Sequence, residues 1–234
     1  MSDTGSGRIV TGLLAAALLL GGCGTTPPVV GSTAGPQPLG TLALPPPSLV
    51  GSWSLEEALA ARRSVRQYAE ADVAVVQLGQ LLWAAQGITE EGGQGRTAPS
   101  AGGTYPLEVY AATAQGLYHY LPGRHALEVM GSEDLRPALS EAAGGQEWVR
   151  QAPLVVVLVG VVERTAARYG DRAERYVALE AGHAAQNLML QAVVLGLGVV
   201  PVGAFDDDAV RRVVGLPDTW APLYLIPVGH PVGE

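Results

Sequence analysis

The sequence predicts an α+β domain built on a mixed sheet, and three observations predict it. Strand-like and helix-like stretches follow one another without the regular βαβ alternation of a doubly wound fold. Between Leu107 and Met130 three short β-rich runs succeed one another, the first two around a turn at Ala114-Gln115-Gly116. Pro153 to Val162 is an unbroken apolar, β-branched run, which marks a strand buried on both faces. Composition allows such a core, since 48% of the 234 residues are hydrophobic and 15% charged.

The chain opens on a different kind of segment. Ile9 to Gly22 is an apolar run of signal-peptide length, too short to span a bilayer comfortably, and it ends Leu20-Gly21-Gly22-Cys23. This resembles a bacterial lipobox, in which the chain is cut before Cys23 and the thiol acylated; a short uncleaved anchor is the other reading. On the lipobox reading residues 1–23 are a signal peptide, and the mature protein is a bacterial lipoprotein held outside the cytoplasmic membrane by lipid. Residues 24–52 are rich in Pro, Gly, Thr and Ser with scarcely a charge, which predicts an extended tether. The folded domain then runs over 53–234.

Ser54 with Glu57 three residues on forms a capping box, so a helix runs from there to about Arg63. Arg62-Arg63-Ser64-Val65-Arg66 follows, three guanidinium groups and a hydroxyl in five residues. Such a cluster suits bidentate contact with a phosphate; alternatively it caps the last carbonyls of the helix and pairs with surface carboxylates. Asp72 caps a second helix, Val73–Gln86, with Gly87 closing it. In the stretch from Arg96 to Tyr110, Pro99 fixes one backbone angle, Ser100 offers a hydroxyl, and Gly102 and Gly103 let the main chain approach a flat ligand. The alternative is an ordinary turn feeding the strand Leu107–Thr113.

The remaining elements follow the same logic. Leu117–Leu121 and a short strand near Ala126–Met130 continue the hairpin, Glu133–Ala143 is an amphipathic helix, and Pro153–Val162 is the buried strand. From about Arg172 to Leu197 a helix is apolar nearly all round, which predicts burial in the core or against another subunit. Glu180 and His183 within it have the spacing of a metal-ligand pair, but one copy without a second cluster favours a structural contact, and no metal is expected. Val199–Phe205 is an apolar turn, Asp206–Asp208 start a helix that reaches Gly215, and Leu223–Val228 is a last strand.

Several function classes are excluded. The net charge of -8 opposes a nucleic-acid partner. All 14 basic residues are Arg, so Schiff-base and lysine-dependent P-loop chemistry are ruled out. The single cysteine makes no intramolecular disulfide, and neither a G-x-G-x-x-G nor a G-x-S-x-G motif is present.

Taken in order, Arg62-Arg63-Ser64-Val65-Arg66, Leu82-Trp83-Ala84-Ala85-Gln86-Gly87, Pro99 to Pro106, Gly196-Leu197-Gly198 with Pro201 to Phe205, and Pro227-Val228-Gly229-His230-Pro231 resemble the FMN-dependent nitroreductase superfamily, nearest its SagB-type dehydrogenase branch. The resemblance covers Ser54 to Pro231. It implies a mainly antiparallel sheet flanked by helices, and a homodimer with FMN sites built from both chains at the interface. It further implies that Arg62, Ser64 and Arg66, with Arg63 beside them, grip the FMN phosphate and ribityl chain. Pro99, Ser100, Ala101, Gly102 and Gly103 match the loop, from the partner subunit, that lies against the flavin ring. Pro201, Val202, Gly203 and Ala204 match the turn whose amides face the ring, and Gly229 and His230 match the segment near the phosphate, where His230 replaces the family's Lys or Arg. The implied activity is ping-pong hydride transfer between a donor, NAD(P)H or another, and a small organic substrate. Azoline dehydrogenation in that branch uses a Lys–Tyr pair, and this chain has Tyr105 but no lysine. The rival reading is a tethered flavin- or small-molecule-binding lipoprotein without turnover.

Overall fold

The computed structural model describes residues 38–90, 92 and 95–233. The apolar run before Cys23, Cys23 itself and the first part of the expected tether lie outside the described residues. The rest of that tether departs from expectation: Gly40–Ala43 is a strand, β1, pairing antiparallel with Ala126–Gly131. Leu44 behind it is buried, and the Gln80 amide binds both the N–H and the carbonyl of Ser48, at 2.8 and 3.0 Å. Chain that is poor in charge has become the edge of the sheet because the neighbouring strand offers it a hydrogen-bonding ladder.

The other elements are α1 (Leu55–Ala61), α2 (Val75–Gln86), β2 (Leu107–Thr113), β3 (Gly116–Leu121), β4 (Ala126–Gly131), α3 (Arg136–Ala142), α4 (Glu147–Gln151), β5 (Leu154–Val161), α5 (Val162–Tyr169), α6 (Ala173–Val194), β6 (Gly198–Val199), α7 (Asp207–Val214) and β7 (Trp220–Gly229). The seven strands form one sheet in the order β1-β4-β3-β2-β5-β7-β6, and every pair is antiparallel. The parallel component of the expected mixed sheet is an isolated bridge, Ser64↔Val199.

β5 is the hub. All eight of its residues are buried, and their alternation feeds two cores. Leu154, Val156 and Leu158 pack on one face with α2 and α6; Val155, Val157 and Val159 pack on the other with α3, α4 and α7. The helix ends follow local chemistry. The Ser54 box forms as expected, Glu57 N–H donating to Ser54 Oγ at 3.1 Å and Ser54 N–H to Glu57 Oε2 at 2.7 Å. Asp72 does not cap α2: Gln77 reaches back to the Ala74 N–H at 3.0 Å, so the helix starts later. Likewise Asp134 ties up the N–H and guanidinium of Arg136, and α3 begins there rather than at Glu133. Among the described residues no helix is long and apolar enough to cross a membrane.

Candidate functional site

Three separated segments meet at the Leu154 end of β5. The chain after α1 lies beside β6, with the Val65 N–H donating to the Val199 carbonyl at 3.0 Å. β6 pairs with the end of β7 through Gly198↔Gly229, and Tyr68 bridges Pro231. The Ala69 N–H donates to the His230 carbonyl at 2.8 Å, and the Tyr68 hydroxyl donates to the Val65 carbonyl at 2.8 Å. Arg62–Arg66, the 198–204 turn and Gly229-His230 are thus brought together.

The four residues of the cationic stretch have different fates. Arg63 turns back, its Nη1 donating to the Ala60 and Arg62 carbonyls at 2.7 and 2.8 Å, so it caps the helix end rather than facing an anion. Arg62 and Arg66 have no carboxylate within ion-pair distance among the described residues. Arg66 lies over the Trp148 ring, 5.4 Å from its centroid, and the Trp148 indole N–H is buried without a partner. Ser64 is exposed beside them. Two guanidinium groups without a carboxylate partner among the described residues and a hydroxyl lie on a fixed backbone, an arrangement with the chemistry of an anion cradle.

The glycines here divide into two kinds. At Gly229 a Cβ would meet Pro153 Cδ at 2.7 Å and the Tyr68 ring at 2.9 Å, and at Gly198 it would meet Val65 at 2.6 Å. Those two glycines are required by packing. Gly203 is open, with Tyr224 Cε1 at 4.0 Å as its nearest neighbour. Within the same turn Val202 is buried and exchanges both backbone bonds with Leu225, at 2.8 and 3.0 Å, so its amide is not available to a ring. Gly203 and Ala204 are exposed and their N–H groups have no acceptor among the described residues. Gln146 steadies this turn, its Nε2 donating to the carbonyls of Ala143 at 2.8 Å and Ala204 at 2.9 Å. Sequence reasoning missed Gln146 and Trp148 because they stand at the start of the five-residue α4.

The Pro99–Gly103 loop is elsewhere. It leads into β2 at the other end of β5, where the Val161 N–H donates to the Pro106 carbonyl at 2.8 Å. Eight residues of strand at ~3.3 Å each separate the two ends, roughly 25 Å. One turn of 3-10 helix at Ala101–Gly103 shapes the loop, with Gly102 at φ +61° and Gly103 at φ +65°. Ser100 Oγ accepts from the Tyr105 N–H at 2.9 Å, and Arg168 Nη1 donates to the Gly102 carbonyl at 3.0 Å. Arg164 donates to the Tyr105 carbonyl at 3.1 Å and pairs closely with Glu108.

Beneath this loop lies a buried polar group that the sequence left as a metal alternative. Glu180 is 3% exposed whereas His183 is exposed, so the two do not share an environment. Among the described residues no set of three His, Cys, Asp or Glu side chains is grouped to hold a metal. Burial pushes the Glu180 carboxyl up to about 7; the Ser100 hydroxyl, the Arg96 charge and nearby Gln86 pull it partly back. Glu180 Oε1 and both amide atoms of the fully buried Gln86 lack a partner in bonding geometry. A second network sits on the sheet: His119 Nε2 meets Glu108 Oε2 at 2.6 Å and its Nδ1 meets Glu128 Oε2 at 3.2 Å. Burial opposes its charge, but the two carboxylates win and raise the imidazole above its ordinary value.

Comparison with known proteins gives one answer. The pattern of the nitroreductase family matches residues 59–230. A nitroreductase-type protein of Methanocaldococcus jannaschii is 42% identical over 184 residues, 76% of this chain and 91% of its own. The FMN reductase [NAD(P)H] of Bacillus subtilis is 26% identical over 189 residues, 75% of this chain and 65% of its own. Among solved structures, a nitroreductase-type protein of Ralstonia eutropha superposes with a TM-score of 0.76 at 31% identity, covering 88% of this chain and 93% of that one.

Proposed function

The chain belongs to the nitroreductase family and is an oxidoreductase of it, and on that premise we propose that it is FMN-dependent, passing a hydride between a donor and a small organic substrate by a ping-pong cycle. The observation that carries the reading is the pair of guanidinium groups of Arg62 and Arg66, without a carboxylate partner among the described residues, on the segment that Val65 ties to Val199, at the start of the turn that carries the free amides of Gly203 and Ala204. These residues fit the group: the cations and Ser64 would hold the phosphate end, and the two amides would face the ring. When bound, FMN supplies the hydride chemistry, so the chain need not provide an acid–base dyad. The amides' part is to place fixed dipoles where negative charge develops.

The other half of the argument is distance. The Pro99–Gly103 loop and the cradle lie at opposite ends of β5 in one chain, so a loop that covers the ring comes from a second copy. This supports a homodimer with two shared sites. In the order of its motifs the chain resembles the SagB-type branch, while the lack of lysine disfavours that branch's azoline chemistry. Residues 1–23 add a lipid anchor at Cys23 to the proposal, tested by mass spectrometry of the wild type and Cys23→Ala.

The deciding experiment is the visible spectrum of the purified chain before and after release of any bound cofactor. Flavin bands at about one FMN per chain, with parallel double-reciprocal plots for donor and acceptor, are expected. A colourless protein that also fails to take up added FMN overturns the proposal.

A further inference from the structure

Four arginines fall within twelve residues of the α5–α6 corner, Arg164, Arg168, Arg172 and Arg175, in a chain of net charge -8. Arg164 is committed to Glu108. Arg168, Arg172 and Arg175 are exposed and have no carboxylate within ion-pair distance among the described residues, although Asp171 and Glu174 interrupt the same run. Two of them are locked in place by aromatic rings. Arg168 lies 5.5 Å from the Tyr169 centroid and Arg172 lies 5.5 Å from that of Tyr176, while the two tyrosines meet edge to face at 5.0 Å. The result is a continuous stack, Arg168–Tyr169–Tyr176–Arg172.

This stack touches the glycine loop. A Cβ on Gly102 would come within 2.7 Å of the Tyr169 hydroxyl and 2.8 Å of Arg168 Nη1. Arg168 donates from Nη1 to the Gly102 carbonyl at 3.0 Å, and its exposed guanidinium keeps further donors. Resting on the reading that this loop borders the flavin, we propose that the Arg168–Tyr169–Tyr176–Arg172 stack is the subsite for an anionic group, a carboxylate or phosphate, on the reactant that exchanges hydride with it. Contact with a ring restrains each guanidinium, and two such groups suit an oxyanion. A local cationic patch on an acidic protein also draws anionic reactants toward it.

The test uses the full chain and two pairs of probes at low salt, 4-nitrobenzoate against 4-nitrobenzamide and 2′,5′-ADP against adenosine, with dissociation constants from calorimetry. The wild type is expected to bind at least one anion about tenfold more tightly than its neutral partner. Arg172→Gln, which makes no bond to the loop, is expected to erase most of that preference, and Arg168→Gln the remainder. Preference in the first pair assigns the subsite to the substrate, and preference in the second to a dinucleotide donor. Equal binding of anion and neutral partner in both pairs, or a preference that neither variant moves, overturns the proposal. Flavin content is recorded on the same samples after addition of FMN: a yellow protein without anion preference sinks this inference alone, whereas one that stays colourless and takes up no added FMN sinks the functional reading beneath it.

Discussion

The two ends of β5 use the same side chain for opposite purposes. At the Leu154 end the backbone does the joining, through Val65 to Val199, Gly198 to Gly229 and Ala69 to His230, and the guanidinium groups of Arg62 and Arg66 are left without protein acceptors. At the Val161 end arginines share the joining with the backbone, Arg164 bonding the Tyr105 carbonyl and Arg168 that of Gly102 beside the Val161–Pro106 bond. An arginine on a backbone that is already fixed keeps all its donors for a ligand. An arginine that bonds the backbone also sets the shape of a loop and keeps only its remaining donors. Residue type alone does not separate the two roles, because the difference lies in what else holds the segment.

The largest effect should come from the free pair. Arg62→Ala with Arg66→Ala removes two charge-assisted contacts at ~1.5–3 kcal/mol each, so the Kd for FMN should rise by roughly 100-fold to 10,000-fold. Neither residue has an ion pair to lose, so the circular dichroism spectrum should stay unchanged; unchanged FMN affinity would break the contrast between the two ends. At the other end, Gly102→Ala puts a side chain at φ +61° against Tyr169 and Arg168, and urea denaturation should show a loss of ~1–3 kcal/mol.

Gly203→Val sharpens the comparison from the ligand's side. Nothing lies closer than 4.0 Å to the position of its new Cβ, so the fold should tolerate it, while FMN titration should show about tenfold weaker binding. A variant that binds FMN as well as the parent would place the ring elsewhere.

The smallest effects are changes in the pH dependence of stability. The Glu180 carboxyl has its folded value raised from 4.5 to about 7, so the folded state holds the proton more tightly and stability falls as pH rises through that window. Glu180→Gln should therefore lack the decline between pH 4.5 and 7 in thermal melts. His119, raised above 6.5 by Glu108 and Glu128, contributes stability that is fully present below pH 6.5 and is lost as pH rises through its raised value. His119→Gln should cost most in acid and least in alkali; a pH-independent cost would assign the network a packing role only.

Much of the fold was legible in the sequence because local chemistry writes it there. Ser54 with Glu57, Asp206 with the Ala209 N–H and Gly215 in the left-handed conformation mark helix ends by bonds that span three or four residues. The Pro153–Val162 run announced a strand covered on both sides, and two cores cover it. Less was legible where an element is short or borrowed. α5 carries Val162, Thr165, Ala166 and Tyr169 at helical spacing, a signal that could have found it, whereas five-residue α4 has too few turns for a period. β1 is exposed at all four residues, so no alternation betrays it.

By itself, then, the sequence determined most of the longer elements, the buried central strand and the presence of a cationic stretch and a glycine loop, since each depends on neighbours within a few positions. Only the tertiary structure decided that Arg63 closes a helix while Arg62 and Arg66 keep no carboxylate partner among the described residues, that Gly229 packs while Gly203 stays open, and that cradle and loop lie at opposite ends of β5, a strand roughly 25 Å long. Those outcomes are set by which atoms distant segments place beside each residue, and no local pattern records that.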